Sequence, residues 1–427
     1  MKIAIIGAGS TYTPELIEGI IERKANLPLK ELYLMDIDDR KLNIVGNLCQ
    51  RMIENAKIKA KVVLTKDLDA TLKNADFVLC QIRVGKLPAR VLDEKIPLKH
   101  DLIGQETCGI GGFFKGLRTI PVMLDICRKM EKLCPDAWLI NFSNPSGILT
   151  EMILNHTKVK MLGLCNVPIN TVDGLKKRLN LPNAFVEYMG LNHLAYITAV
   201  RDNGKDYLFD AINAGINSES MKNIPTSGFP AEAIKTIGAI PTSYLEYYYY
   251  KDSKLEKLKT AEKTRGELCI DIEAQLLDIY QNLDLNNKPQ ELSKRGGSRY
   301  SEAAISLVDA IWNDKNEHHI VNCLNNGALD FLKDSDSIEI GAIINKKGAT
   351  PIKVENFDNK HVKDYIKMVK AYENHTVEAA IKGCDYEAMR ALMINPLVLD
   401  YNKALACYNE LKEAHKEYLP QFFGAKK

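Results

Sequence analysis

Residues 2–12 read KIAIIGAGSTY and decide the fold of the chain. The first five, Lys2–Ile6, form an apolar run that predicts a buried strand. Gly7 and Gly9 then predict a tight turn in which a phosphate group can approach backbone N–H groups at the start of a helix. Tyr12 stands in place of the third glycine of the usual dinucleotide-binding pattern, which weakens the motif without excluding it.

The helix after this turn is predicted to have Thr13 as its N-cap and Pro14 at its first helical position. Further strands are predicted over residues 31–37, 61–64, 76–83, 137–142 and 161–165. Continuous apolar strands separated by helical segments indicate a parallel sheet with helices on both faces. We therefore predict an α/β fold with an N-terminal Rossmann-type domain over residues 1–166.

Residues 167–427 show a different pattern and are predicted to form a mixed, mainly helical C-terminal α+β domain. Residues 188–200 are predicted as one strand. Helices are predicted over residues 261–283 and 300–312 and through most of the chain after residue 358. Residues 337–354 predict a hairpin. The two parts are expected to share one interface, because no flexible linker separates them.

The composition excludes several classes of protein. Of the 427 residues, 46% are hydrophobic and 26% are charged, which excludes global disorder and fibrous repeats. The net charge of +2 gives no reason to expect nucleic acid or an anionic membrane as a partner. No run approaches the ~18 apolar residues of a membrane span, and the first apolar run is too short for a signal peptide.

Ten cysteines are spread along the chain without a Cys-x-x-Cys pair. A chain of this length can build a core without disulfides, so we predict free thiols and a cytoplasmic location. Six of these cysteines are expected to be small core residues: Cys49, Cys80, Cys127, Cys134, Cys323 and Cys407.

An acidic residue ends the second predicted strand. Asp36 lies 29 residues after Gly7, whereas the usual gap to a ribose-binding acid is about 20 residues, and a longer helix would absorb the difference. Its charge favours NAD over NADP because it repels a 2′-phosphate. The alternative is a glycine turn in an α/β protein that binds no nucleotide.

Two further stretches place polar groups in predicted loops. Residues 104–112 hold four glycines around Glu106, which predicts a loop whose backbone is closely approached, or else a simple connecting turn. Asn141-Phe142-Ser143-Asn144-Pro145 follows an apolar strand, at the edge where open α/β sheets bind ligands. The alternative there is that Ser143 or Asn144 caps the next helix.

A thiol and an imidazole lie near two other predicted strands. Cys165 begins Cys165-Asn166-Val167-Pro168, and His193 follows 28 residues later. They are either separate packing residues or a pair that holds a divalent metal through sulfur and nitrogen. Five tyrosines between residues 244 and 250 are expected mostly to pack, and one of them is a candidate phenolic base where a cation lowers its pKa.

Together these stretches resemble glycoside hydrolase family 4, the NAD- and metal-dependent glycosidases. The resemblance covers essentially the whole chain and runs in order through Gly7-Ala8-Gly9-Ser10, Ile82-Arg83-Val84-Gly85, Gly104-Gln105-Glu106-Thr107, Asn141-Phe142-Ser143-Asn144-Pro145, Cys165-Asn166-Val167-Pro168, Gly190-Leu191-Asn192-His193, residues 241–250 and Arg295-Gly296-Gly297. Cys-Asn-Val-Pro resembles the 6-phospho-β-glucosidase branch, whereas 6-phospho-α-glucosidases carry Asp after the Cys and the galactosidase-type branch carries His. The β assignment therefore rests on Asn166.

The resemblance implies a fold related to lactate and malate dehydrogenases, and Mn²⁺ or another divalent metal held by Cys165 and His193. It also implies a tyrosine base, best matched by Tyr244 with Tyr248 as second choice, and homodimers or homotetramers. The candidate NAD-binding residues are Gly7, Gly9, Ser10, Thr11, Asp36 and Arg83. The candidate substrate-binding residues are Arg90, Glu106, Asn144, Asn166 and Arg265.

The implied chemistry differs from that of ordinary glycosidases, which use two carboxylates. A sugar C2–H is too weak an acid for a side chain to remove. Oxidation of the C3 hydroxyl by NAD⁺ places this hydrogen next to a carbonyl, a metal stabilises the enediolate, and a tyrosinate takes the proton. Elimination then expels the aglycone, water adds, and the cofactor returns the hydride. We thus predict hydrolysis of 6-phospho-β-glucosides, such as cellobiose 6-phosphate, to glucose 6-phosphate and aglycone.

Arginine side chains are the best ligands for a doubly charged phosphate, and the available ones are Arg83, Arg90, Arg265, Arg295 and Arg299. Other functions remain open at this point. They are a 6-phospho-α-glucosidase of the same family, a 2-hydroxyacid dehydrogenase without a metal, and a non-catalytic NAD-sensing protein.

Overall fold

The computed structural model describes residues 1–216, 226–295 and 299–424. The strands are β1 (Lys2–Ile6), β2 (Glu31–Met35), β3 (Lys61–Thr65), β4 (Phe77–Cys80), β5 (Trp138–Asn141), β6 (Lys160–Gly163), β7 (Phe185–Leu191), β8 (Leu194–Asp202), β9 (Lys205–Asp206), β10 (Ile240–Pro241), β11 (Glu317–Leu324), β12 (Ser337–Asn345) and β13 (Gly348–Pro351). The helices are α1 (Thr13–Glu22), α2 (Asp39–Asn55), α3 (Leu68–Leu72), α4 (Lys86–Lys99), α5 (Gly109–Leu133), α6 (Ser146–His156), α7 (Val167–Leu179), α8 (Leu208–Asn213), α9 (Ala231–Ile237), α10 (Glu246–Tyr249), α11 (Lys251–Thr260), α12 (Arg265–Tyr280), α13 (Tyr300–Trp312), α14 (Lys360–Lys382), α15 (Asp385–Ile394) and α16 (Tyr401–Ala414).

Six parallel strands form one half of the sheet in the order β3-β2-β1-β4-β5-β6. This is the strand order of a doubly wound dinucleotide fold. Every residue of β1 and β4 is buried, as expected for parallel strands covered on both faces. The predicted Rossmann-type parallel sheet is therefore confirmed.

The same sheet continues into the second half of the chain. β11, β12, β7, β8 and β10 follow β6 in this order, each antiparallel to its neighbour. The predicted hairpin is formed by β12 and β13, and α13 has the predicted bounds. The long helices α14, α15 and α16 account for the helical pattern after residue 358.

Several local predictions were wrong, two of them at residues 188–200 and at Thr13. The strand predicted over residues 76–83 also ends earlier, at Cys80. Residues 188–200 belong to two strands, β7 and β8, that fold back on each other at Asn192 and His193. His193 lies in the left-handed region of the turn, at φ +67°. The turn contains neither proline nor an Asn-Gly pair, so its sequence carries no turn signal and the two buried strands are predicted as one. Thr13 is the first residue of α1 rather than its N-cap, and its hydroxyl donates to Ala8 O at 2.8 Å.

The glycine-rich stretch over residues 104–112 is a loop only as far as Cys108, because α5 begins at Gly109. The backbone is closely approached here, as predicted, but by the chain itself. A Cβ at Gly104 would lie 1.8 Å from Glu94 O, and one at Gly112 would lie 2.3 Å from the backbone of Thr107. These glycines let the loop pack directly against neighbouring backbone.

All ten cysteines are free thiols, and the six expected in the core are buried. Within the described residues, every helix is too short or too polar to span a bilayer.

Candidate active site

A cavity of about 820 Å³ lies at the carboxyl ends of β1, β4, β5 and β6. Doubly wound sheets bind ligands at this edge. The predicted site residues in its wall are Gly7, Gly9, Ser10, Asp36, Arg83, Arg90, Glu106, Asn144, Cys165, Asn166, His193, Tyr244 and Arg265. Thr11 is not part of the wall: its buried hydroxyl has no hydrogen-bond partner, and its carbonyl accepts from the Tyr280 hydroxyl at 2.8 Å.

Asp36 holds the glycine turn from the end of β2. Its Oδ2 accepts from Gly9 N–H at 2.8 Å, and its Oδ1 accepts from Asp38 N–H at 2.9 Å. Gly7 has φ +84°, and a Cβ there would lie 2.8 Å from Gln81 O, so a side chain does not fit. The gap of 29 residues between Gly7 and Asp36 is longer than usual because residues 23–30 form an irregular segment. This segment stands in place of the longer helix expected from the sequence.

The register of the sheet brings Cys165 and His193 together. Gly163 of β6 and Gly190 of β7 lie in one row, with one residue each of β11 and β12 between them. Cys165 follows closely after the first glycine, and His193 after the second. Cys165 Sγ and His193 Nε2 lie 3.7 Å apart, and both side chains are buried.

This pair fits a metal site. Sulfur about 2.3 Å and nitrogen about 2.1 Å from one zinc ion, at a tetrahedral angle, lie about 3.6 Å apart. Burial, with Lys115 nearby, lowers the pKa of His193 to about 3, so its imidazole is neutral and has a free lone pair. Burial raises the pKa of the Cys165 thiol, and a bound cation reverses this effect by favouring the thiolate. The buried Asn166 side-chain nitrogen in the same wall has no hydrogen-bond partner.

The described residues contain no group of three or more His, Cys, Asp or Glu side chains placed to hold a metal. The protein therefore offers two strong ligands, and further positions are open to water or substrate oxygens.

Tyr244 lies against the imidazole of His193. The two ring centroids are 3.9 Å apart, and the ring planes are inclined by 32°. Burial raises the pKa of Tyr244 well above its usual value, and Cys108 and Cys165 raise it further, so a phenolate at this position needs a nearby cation. Tyr248, the second choice from the sequence, packs on Tyr365 with ring centroids 6.0 Å apart and is absent from the cavity wall.

Glu106 is surrounded by three cations. Arg83 and Lys115 contact its Oε2, Lys115 at 2.9 Å, and Arg90 Nη1 lies 2.8 Å from its Oε1. Burial favours a raised pKa for Glu106, but the three cations outweigh burial and hold it well below its usual value. Burial and Arg83 lower the pKa of Lys115 to about 7. Arg90 also binds Glu94, so three cationic side chains face two carboxylates. One positive charge remains in excess when Lys115 is protonated, which suits an anionic ligand.

Four of the five arginines considered for phosphate lie in the cavity wall, among them Arg265 and Arg295. Arg265 Nη2 donates to Arg295 O at 2.6 Å. Arg299 is not in the wall and instead pairs with Asp173 and Glu302. Gly296 and Gly297 of the last motif lie outside the described residues.

The loop after β5 does not cap the helix that follows it. α6 begins after Pro145 with no side-chain cap, so the capping alternative for Ser143 and Asn144 is wrong. Ser143 Oγ accepts from Ile82 N–H at 2.9 Å and ties this loop to the end of β4. Asn144 is left in the cavity wall.

Lys115 and Tyr418 are among the residues of this wall that sequence reasoning missed. Lys115 is a lone cation in the apolar run GIGGFFKGL over residues 109–117, and that contrast was a usable signal. Tyr418 is half-buried and lies far along the chain, with no local pattern to distinguish it from other residues at helix ends.

A model of the family 4 glycosyl hydrolases matches residues 2–181, and the model of their C-terminal domain matches residues 188–398. The chain belongs to this family. The family 4 chain is 43% identical to a probable 6-phospho-β-glucosidase of Bacillus subtilis, over 99% of this chain and 98% of that one. It is 41% identical to a 6-phospho-β-glucosidase of Escherichia coli, over 99% of this chain and 97% of that one.

Solved structures of related proteins also match this chain. The 6-phospho-β-glucosidase of Thermotoga maritima, solved with manganese, NAD⁺ and glucose 6-phosphate, matches with a TM-score of 0.89 and 33% identity over 98% of this chain and 99% of that one. Malate dehydrogenase of Plasmodium falciparum matches with a TM-score of 0.53 and 13% identity over 89% of this chain and 98% of that one, which shows a shared fold. The relation to malate dehydrogenases implied by the sequence is confirmed at the level of fold.

Proposed function

We propose that this family 4 enzyme hydrolyses 6-phospho-β-glucosides, such as cellobiose 6-phosphate, to glucose 6-phosphate and an aglycone, using NAD⁺ and a divalent metal, with Mn²⁺ the first candidate. The observation that carries the proposal is the Cys165–His193 pair beneath Tyr244, in one cavity with the glycine turn and Asp36. The named relatives support the β-glucosidase assignment, and Asn166 after Cys165 is the residue on which it rests.

When bound, NAD⁺ accepts and returns a hydride at the sugar C3, and the metal supplies a positive charge that stabilises the oxygen anions formed next to it. Gly7 and Gly9 leave room for the pyrophosphate, and Asp36 faces the ribose. Cys165 and His193 hold the metal. Tyr244 accepts the C2 proton at its phenolic oxygen, because its ring is fixed against His193.

The cationic side chains hold the charged end of the substrate. Arg90 and Arg265 bind the phosphate with their guanidinium groups, and Asn144 and Asn166 donate amide hydrogens to sugar oxygens. Glu106 orders Arg83, Arg90 and Lys115 before the substrate arrives, which reduces the reorganisation needed on binding.

The free thiols support a reducing, cytoplasmic location. We further propose that residues 1–166 form the NAD-binding domain and that residues 167–427 form the domain that contacts the substrate, the metal and neighbouring subunits. The protein is proposed to be a homodimer or homotetramer.

One assay matrix tests the function. Nitrophenyl 6-phospho-β- and 6-phospho-α-glucosides are each offered with and without NAD⁺, Mn²⁺ and a thiol reductant. We expect hydrolysis of the β-anomer that requires all three additions and yields no net NADH. Preference for the α-anomer would move the protein to the other branch. A separate assay offers malate or lactate with NAD⁺, and net NADH in it would favour a dehydrogenase. Binding of NAD⁺ without turnover of any of these substrates would favour a sensor.

A further inference from the structure

The last described part of the chain returns to the cavity. Lys416–Tyr418 forms a single 3₁₀ turn after α16, and Glu417 and Tyr418 belong to the cavity wall. Tyr418 N–H donates to His415 O at 2.8 Å, so the position of the tyrosine follows that of the histidine.

His415 is held by a fully buried cluster. Its Nε2 lies 2.8 Å from Asp93 Oδ1, and both terminal nitrogens of Arg118 bind the same carboxylate, Nη1 at 2.9 Å. Asp93 and His415 are 0% exposed and Arg118 is 1% exposed. Asp93 lies on α4, Arg118 on α5 and His415 at the end of α16, so the Asp93–Arg118 ion pair and the hydrogen bond between His415 and Asp93 connect the end of α16 to α4 and α5.

The same cluster also reaches the loop after β4. Arg118 Nε donates to Val84 O at 3.0 Å, and Val84 lies in the cavity wall. The next residue, Gly85, has φ +78°, and a Cβ there would lie 3.2 Å from Tyr418 Cε2. The tyrosine ring therefore packs against the backbone of this loop, and one cluster braces both.

Aliphatic side chains also belong to the cavity wall, near Asp36 and near Arg118, which holds Val84. Ile37 is 74% exposed and Val122 is 40% exposed, yet both belong to the cavity wall. Ile37 directly follows Asp36, and Val122 lies one helical turn after Arg118 on α5. Two aliphatic side chains and an aromatic ring, next to a carboxylate placed for a ribose, form a setting for a flat heterocyclic base.

We propose that Tyr418 is a cofactor-binding residue whose ring closes the adenine end of the dinucleotide site, and that Asp93, Arg118 and His415 are positioning residues for it. This rests on the proposed function and deepens it, because it adds a contact from the turn after α16 to a dinucleotide site whose other candidate NAD-binding residues all lie before residue 84.

Isothermal titration calorimetry of the full chain with NAD⁺, ADP and nicotinamide mononucleotide tests the contact. Tyr418→Ala is expected to weaken NAD⁺ and ADP binding about tenfold, the size of one lost base–aromatic contact, and to change nicotinamide mononucleotide binding by less than about twofold. Tyr418→Phe keeps the ring and is expected to recover most of the affinity. Tyr386→Ala is the matched control, because this tyrosine of α15 is 81% exposed and lies outside the cavity wall.

The outcomes separate the two proposals. If wild-type protein binds NAD⁺ but Tyr418→Ala binds ADP equally well, or loses affinity for the mononucleotide to the same degree, the adenine contact is refuted and the proposed function stands. If wild-type protein does not bind NAD⁺, the proposed function fails.

His415→Gln tests the positioning role. It is expected to weaken ADP binding and to cause no further loss in combination with Tyr418→Ala, whereas an additive loss would refute positioning. If His415→Gln does not fold, Asp93→Asn, which alters the same contact from the other side, is measured alone and with Tyr418→Ala, with the same two outcomes.

Discussion

Replacing Glu339 with glutamine removes a buried ionisable group while keeping its shape. Glu339 is 1% exposed, and its carboxylate accepts three hydrogen bonds: from the Tyr188 hydroxyl at 2.8 Å, the Asn192 amide at 2.9 Å and the Asn322 amide at 3.2 Å. The two amides share Oε1. A glutamine whose side-chain oxygen takes the place of Oε1 keeps the hydrogen bonds from Asn192 and Asn322. Its NH₂ group donates to the Tyr188 hydroxyl, as the protonated acid does.

The sign and size of the effect follow from the pKa of Glu339. Burial raises it from 4.5 to about 7, against the lowering effect of the three hydrogen bonds. Between these pH values the folded state binds more protons than the unfolded state, so the free energy of unfolding falls as pH rises. The fall is complete by about pH 8, one unit above the folded-state pKa. It amounts to about 3 kcal/mol in full and about 2.5 kcal/mol between pH 5 and pH 8.

The assay is thermal unfolding of wild type and Glu339→Gln in a metal chelator, from pH 5 to pH 8. For 427 residues, an unfolding entropy of about 2.1 cal/mol/K per residue converts about 2.5 kcal/mol into about 3 °C. The Tm of the variant should therefore rise by about 3 °C relative to wild type across this range. Glu232→Gln, at a carboxylate that is 83% exposed, should show no such trend. Parallel pH profiles of wild type and Glu339→Gln would refute the reasoning.

Three further predictions concern the proposed chemistry. Cys165→Ser should weaken Mn²⁺ binding at least tenfold, as measured by electron paramagnetic resonance of the free ion, with NAD⁺ binding as the control; unchanged Mn²⁺ affinity would exclude the thiolate ligand. Tyr244→Phe should slow exchange of the substrate C2 proton in D₂O by about 10²-fold or more and leave NAD⁺ binding intact, and unchanged exchange would transfer the role to another tyrosine. Asp36→Asn should reduce the preference for NAD⁺ over NADP⁺ at least about tenfold in the ratio of KM values, and an unaltered ratio would mean that this carboxylate does not face the 2′ position.

The parallel half of the fold was predictable because its signals are local. The run Lys2–Ile6, the glycines after it and the acid at the end of the next strand are read within 36 residues. The turn at His193 was not predictable in this way, because β7 and β8 are both buried and show no alternation of polar and apolar residues. The irregular segment over residues 23–30 was missed for a related reason, since nothing local distinguishes a longer helix from a helix followed by a loop.

The sequence alone determined which chemical groups are available: a glycine turn with an acid near it, a thiol, an imidazole, a tyrosine run and a supply of arginines. Each of these groups is recognised from the residue type itself or from its immediate neighbours in the sequence. Only the tertiary structure decided which of them meet. The 3.7 Å separation of Cys165 and His193, the position of Tyr244 against His193 and the contact between Tyr418 and Gly85 depend on strand register and on helices far apart along the chain. No local pattern encodes these distances, because they follow from packing of the whole sheet.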